Sequence, residues 1–62
     1  MTPEQHILAC ALEVEWQHGE RAPVFVAERI GALALEGDFA GVEMWKAIAV
    51  AMSAHLDDSR AN

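Results

Sequence analysis

Apolar residues recur along most of the chain at the three- and four-residue spacing of an α-helix. The periodicity is interrupted twice, around Gly19 and around Gly37, where glycine and polar residues gather. The apolar–polar alternation that marks a strand never lasts for more than a few residues. The pattern therefore predicts three helices, over residues 3–18, 23–36 and 38–56, followed by a polar tail over residues 57–62.

Residues suited to helix capping stand at the predicted boundaries. Thr2 precedes Pro3 and is followed at the third helical position by Gln5, which is the arrangement of a capping box. Pro23 stands at the start of the second helix, and Asp38 is expected to cap the third. Both connections are short, and short connections favour antiparallel neighbours. The predicted fold is all-α, a single up-down-up three-helix bundle.

The first helix differs from the other two because it carries two apolar stripes. In the second and third helices, the residues expected to be buried together are Ile30, Leu33, Trp45 and Ile48. The first stripe of helix 1 consists of Ile7, Cys10, Ala11 and Val14. The second consists of Leu8, Leu12 and Trp16, about 120° further round the helix. Either both stripes are buried against the two neighbouring helices, or the second stripe packs against another chain.

A chain of 62 residues has little interior with which to stabilise a fold. Domains of this size bury only about 60% of the surface that the unfolded chain exposes, and a disulfide, a metal or a second chain is the usual support. Cys10 is the single cysteine, which excludes an internal disulfide and indicates a reducing, cytoplasmic location. We therefore expect a protein partner or self-association.

The chain is acidic, with a formal net charge of −6 from ten acidic and four basic residues. Phosphate binding requires clustered basic side chains, so neither direct nucleic-acid binding nor docking on an anionic membrane is expected. The three-helix layout also permits a helix-turn-helix protein, but the second and third helices would offer only Arg29 and Lys46 to DNA. No apolar run approaches the length of a membrane span.

One set of side chains has the spacing of a metal site. His6, Cys10 and Glu13 share an edge of the first helix at i, i+4 and i+7 and resemble part of a zinc ligand set. A fourth ligand from His55 is not expected, because it would lie at the other end of the bundle. Cys10 is better explained as a small core residue. His6 and Cys10 lack a third orienting group for nucleophilic catalysis. We predict no metal, no cofactor and no enzymatic activity.

Several short segments resemble a known family. They include residues 11–15 (ALEVE), 18–19, 22–23, 25–30 (FVAERI), 37–38, 40–42 and 45–49 (WKAIA). These segments are similar to those of a family of small bacterial helical proteins, a domain of unknown function of about this length that is common in alphaproteobacteria. The resemblance implies a cytosolic, single-domain protein. It implies no activity and no functional residue.

The predicted function is that of a small acidic interaction module, which acts by homodimerisation or by docking on a larger protein. The predicted contact residues are Leu8, Leu12, Trp16 and Phe25, since aromatic anchors dominate binding hot spots. The alternative is an acidic inhibitor or regulator that mimics nucleic acid, as phage-encoded or antitoxin-like proteins do. That function needs a track of acids, whereas these are spread along all three helices. Phe39 also lies off the main apolar stripes, and it either adds to a partner-facing apolar patch or packs against Leu35 near the start of the third helix.

Overall fold

The computed structural model describes the backbone of residues 2–61 and the side chains of residues 2–58. Helix α1 spans Pro3–His18, and a single 3₁₀ turn, Gly19–Arg21, leads into α2, which spans Ala22–Glu36. Helix α3 spans Phe39–Ala61. The described chain contains no strand, which confirms the prediction of an all-α protein. None of its helices combines the length and the hydropathy needed to cross a membrane.

The capping interactions predicted for α1 and α3 are present. The Thr2 hydroxyl accepts a hydrogen bond from the Gln5 backbone N–H at 3.1 Å, and the Gln5 side chain accepts one from the Thr2 N–H at 2.9 Å. The Asp38 carboxylate accepts a hydrogen bond from the Gly41 N–H at 2.9 Å. These bonds satisfy backbone donors that have no partner within the first turn of a helix.

Gly37 ends α2 in the left-handed conformation, with φ 76° and ψ 17°. The Gly37 N–H donates to the Ala34 carbonyl at 3.1 Å, and the Asp38 N–H donates to the Leu33 carbonyl at 3.0 Å. This pair of bonds is the Schellman motif. Gly19 also has a positive φ, 57°, at the end of α1. Its ψ of −128° lies outside the left-handed helical region, so Gly37 has the conformation expected of a left-handed helix cap and Gly19 does not.

Helix α3 is longer than predicted. It continues to Ala61, so the predicted helix end at residue 56 is wrong and the polar residues 57–61 are helical, while Asn62 lies outside the described residues. After Gly41 the sequence contains no glycine or proline that would end a helix. The backbone therefore keeps its i to i+4 hydrogen bonds even where the side chains are polar.

The core is built from small and medium side chains. Its cluster of buried residues consists of Ala11, Val14, Ala22, Val26, Ile48 and Met52. The prediction that Ile30, Leu33, Trp45 and Ile48 are buried together is only partly correct. Leu33 is buried outside this cluster, and Ile30 and Trp45 are half-buried at its edge. Three short helices do not enclose an indole, and no large side chain of the described chain is fully buried.

Helix α3 packs against both α1 and α2, whereas the contact between α1 and α2 is smaller. Phe39 and Leu35, at the connection between α2 and α3, are 72% and 92% exposed. The expectation that Phe39 packs against Leu35 in a sheltered contact is wrong. Each lies on the outer side of its own helix, where the core does not reach.

The core contribution of α3 is tested at Ile48, which is 2% exposed. Ile48→Ala removes buried methyl and methylene groups and leaves a cavity, so it should lower the free energy of unfolding by about 2–5 kcal/mol. Val50→Ala is the matched control, because Val50 is 70% exposed on the same helix and should change stability by less than about 0.5 kcal/mol. Urea denaturation followed by circular dichroism measures both. Equal denaturation midpoints for the two variants would contradict this core.

The cap of α3 is tested at Asp38. Asp38→Ala removes the acceptor for the Gly41 N–H and should cost about 0.5–2 kcal/mol, whereas Asp38→Asn keeps an acceptor and should cost much less. Amide hydrogen exchange should be faster in the first turn of α3 in the alanine variant. If protection there is the same in Asp38→Ala and the parent, the carboxylate does not cap the helix.

Two helical glycines should respond differently to alanine. A Cβ at Gly31 meets nothing within 4 Å, so Gly31→Ala should stabilise the protein by about 0.5–1 kcal/mol through helix propensity. A Cβ at Gly41 lies 2.7 Å from Oδ2 of Asp38, so the carboxylate must move away from its capping position. Gly41→Ala should therefore gain nothing or destabilise. If alanine stabilises the protein equally at Gly31 and Gly41, the Asp38 carboxylate moves without loss of the cap.

Candidate protein-interaction surface

The second apolar stripe of α1 is exposed. Leu8 and Leu12 are 44% and 41% exposed, and Trp16 is 86% exposed. The three follow one another at four-residue spacing, so each lies one turn further along the same side of the helix. We call these three residues the α1 stripe.

The other stripe of α1 faces the core. Ala11 and Val14 belong to the buried cluster, and Ile7 and Cys10 pack against it. The sequence allowed two interpretations of the second stripe, burial within the chain or contact with another chain. Burial within the chain is excluded for Trp16, because its indole lies almost wholly outside the protein interior. Leu8 and Leu12 are covered on their inner sides and open on their outer sides, as expected of residues next to a core-facing stripe.

The α1 stripe carries no charge of its own, and two neighbouring acids, Glu13 and Glu15, contact side chains outside it. Glu13 accepts a hydrogen bond from the Gln17 side-chain amide at 2.8 Å. Glu15 is turned towards α3, where its Oε2 lies 3.6 Å from Nε2 of His55. This Oε2 is buried and accepts no hydrogen bond. The centre of the α1 stripe therefore offers apolar surface, and exposed glutamates stand four residues before the stripe, at Glu4, and four residues after it, at Glu20.

Phe25, the fourth predicted contact residue, has its ring engaged within the chain. It stacks on the His18 imidazole with ring centroids 4.0 Å apart, and it meets Trp45 edge-on at 5.9 Å. The Arg29 guanidinium lies 5.9 Å from the centre of the Trp45 ring on the same side of the protein. The structure thus assigns Phe25 to an aromatic cluster that joins α1, α2 and α3. Its contact with a partner stays a prediction, and the surface described here rests on the other three residues.

The sequence analysis missed other exposed apolar residues, and these do not form a comparable stripe. Besides Leu35 and Phe39, they are Val24 and Val50. Each is the only large exposed apolar residue in its part of a helix, without a second one a turn away. Isolated exposed apolar residues are usual on protein surfaces. Their positions outside the apolar stripes assigned to the core are the sequence signal that could have identified them as exposed.

The potential metal ligands on α1 do not converge with a fourth one. The Cys10 sulfur lies 3.8 Å from Nε2 of His6, within one turn of the helix. His55 instead faces Glu15, about 13 Å further along α1 from His6 at 1.5 Å per residue. Among the described side chains, no group of three or more histidines, cysteines and acids is arranged to hold a metal ion.

The sequence matches one protein family. A family model described as a family of unknown function (DUF6961) matches residues 3–57. These residues include α1, α2 and all but the last turn of α3. No curated protein and no solved structure matches the chain. The match confirms the expected resemblance, while the distribution of the family among alphaproteobacteria stays a prediction.

Proposed function

The chain belongs to this family of unknown function, and we propose that it is a small acidic protein-interaction module whose binding surface is the α1 stripe. The observation that carries the proposal is the exposure of Trp16 beside Leu12 and Leu8. An indole this exposed presents on the order of 200 Å² of largely apolar surface. Burying it contributes several kcal/mol at about 25 cal/mol per Å², before the cost of association.

The composition of the core supports the same proposal. The buried cluster contains two alanines and two valines, and its largest members are Ile48 and Met52. A core of this kind provides limited stabilisation against the conformational entropy of the chain. A second polypeptide on the α1 stripe adds the large apolar contact that the interior lacks. Binding would thereby stabilise the fold by mass action.

The proposal includes the arrangement of the helices as an up-down-up three-helix bundle. One groove is lined by Pro23 from the start of α2 and by Leu56 from the second half of α3, which supports antiparallel packing of these two helices. Another groove is lined by His6 from the start of α1 and by Met44 from the start of α3. This supports parallel packing of α1 and α3. The α1 stripe then lies on the outside of the bundle, accessible along its length.

Other functions have less support from the structure. A nucleic-acid mimic needs its acids aligned, whereas the acids of this chain are distributed over α1, α2 and α3. The proposal assigns the protein no catalysis, because the His6–Cys10 pair has no third group to orient it. We also propose a cytoplasmic location, on the basis of a single, half-buried cysteine that no disulfide uses.

The proposed function is tested with Leu12→Glu, which puts a carboxylate in the centre of the α1 stripe. The variant should remain helical and folded, because Leu12 is 41% exposed, but it should lose association, since an unpaired charge in an interface is strongly unfavourable. Sedimentation of the purified protein and affinity capture of cellular proteins measure association with itself and with other chains.

Leu35→Glu is the matched control, since it introduces the same charge on the outer side of α2. It should leave association unchanged. The proposal fails if the parent neither self-associates at high concentration nor captures a protein that Leu12→Glu does not. It also fails if both variants lose association equally.

A further inference from the structure

We propose that the occupant of the α1 stripe is a basic amphipathic helix of another protein, with an apolar row at its centre and lysine or arginine near both ends. This inference rests on the proposed function and adds the chemical class of the partner. Three features of the described residues support it: the spacing of the stripe, the acids at its two ends, and the lack of lysine and arginine on α1.

The spacing of the α1 stripe is that of a ridge on a helix surface. Leu8, Leu12 and Trp16 follow one another at four-residue spacing, and all three are exposed. Ridges of this kind pack into the grooves between the side-chain rows of a second helix, at a crossing angle near about +20° or about −50°. The surface that matches the stripe is therefore the apolar face of an amphipathic helix, a common mode of recognition between proteins.

Exposed glutamates stand at the two ends of the α1 stripe. Glu4 lies one helical turn before Leu8, and Glu20 lies in the 3₁₀ turn after α1, four residues beyond Trp16. Neither carboxylate forms an ion pair with a described side chain. The nearest basic residue in the sequence is Arg21, beside Glu20, so Glu4 is the less compensated of the two. The ends of the stripe favour positive groups on the partner, and a second copy would instead bring further glutamates to them.

The charge of the rest of the chain also favours a basic partner. Residues 3–18 include no lysine or arginine. On the other helices, Lys46 pairs with Glu43, and Arg29 lies over the ring of Trp45. With a formal net charge of −6, the protein attracts positively charged proteins, and this attraction raises the rate of encounter. An apolar centre with a charged rim is the usual composition of an interface between separate proteins.

The positions of the two glutamates limit how the partner helix crosses α1. Glu4 lies eight residues before Leu12, which is about 12 Å along the axis of α1 at 1.5 Å per residue, and Glu20 lies eight residues after it. At a crossing angle of about 20°, the axis of the partner is displaced sideways by about 4 Å at this distance, which a lysine or arginine side chain spans. At about 50° the displacement is about 9 Å. The shallow crossing is therefore the one that brings both ends of the partner to the glutamates.

The size of the α1 stripe is that of a transient contact. Trp16 presents on the order of 200 Å². A single helix packed along α1, which has 16 residues, buries less than about 1,200 Å² in total, the range of weak and transient complexes. A small apolar contact combined with long-range attraction predicts fast association and fast dissociation.

The first experiment determines the chemistry of the partner by selection. A displayed library of single helices, each about 20 residues long and randomised along one face, is selected for binding to the parent and depleted of helices that bind Leu12→Glu. Enriched helices should share a central apolar row and carry lysine or arginine near both ends at least about twice as often as the unselected library. Enrichment of helices with acidic or uncharged ends would overturn the proposal, and so would enrichment of no helix.

The second experiment measures what the two glutamates contribute, with the best enriched helix as a synthetic peptide. Glu4→Gln combined with Glu20→Gln should slow its association at least about threefold at low salt and change its dissociation less, because charges at the rim of an interface act mainly on the association rate. The matched control is Glu28→Gln combined with Glu36→Gln, which makes the same change of net charge at exposed positions of α2 and should slow association less.

Raising the ionic strength from about 50 to about 500 mM should remove most of the difference between the two double variants, since salt screens exposed charges. If both double variants slow association equally, only the net charge of the protein matters. That result contradicts a partner whose basic groups lie at the ends of the α1 stripe.

These outcomes distinguish the class of the partner from the proposed function itself. If the selection yields no basic helix, the proposed partner is wrong, while the interaction function stands as long as Leu12→Glu loses a captured protein or loses self-association. Self-association of the parent that Leu12→Glu abolishes would identify a second copy as the occupant instead.

Discussion

The packing of α3 against both other helices is the constraint on which the rest of the structure depends. Ile48 and Met52 of α3 belong to the same buried cluster as Ala11 of α1 and Val26 of α2, and the direct contact between α1 and α2 is smaller. With only 62 residues, the chain buries a small cluster among its described residues. The position of α1, and hence of its exposed stripe, is determined by how it lies against α3.

The small residues at the centre of the core explain why large apolar residues remain outside it. Ala11 and Ala22 are completely buried, and their short side chains let the helices approach closely. Trp45 sits at the edge of the cluster, and Trp16, on the side of α1 that faces away from the buried residues, lies on the surface. A chain that encloses its large side chains poorly has apolar surface left for a partner. In this sense the limited core and the proposed binding surface have the same origin.

Among the described residues, the exposed apolar side chains form a row on a single helix at the α1 stripe. This regular row is the reason for proposing it as the binding surface. Leu35 and Phe39 are more exposed than Leu12, yet they lie on two different helices. The proposal therefore rests on the regular spacing along one helix and not on exposure alone.

The sequence by itself determined the helices, because their ends depend on interactions between residues at most five positions apart. The capping box at Thr2, the left-handed Gly37 and the Asp38 cap all belong to this class, and the two stripes of α1 are likewise visible in the spacing of residues. The end of α3 was predicted wrongly, because the polar residues after residue 56 were interpreted as a helix boundary although no residue there interrupts the helix.

Only the tertiary structure decided which stripe of α1 faces inward and which residues share the core. It placed Phe25 between His18 and Trp45 instead of on the open surface, and it left Ile30 and Trp45 half-buried. These outcomes depend on contacts between residues far apart in the chain and on the distance between helices. Apolar periodicity shows that a side chain prefers to be covered, but the space available between the packed helices decides whether the chain can cover it.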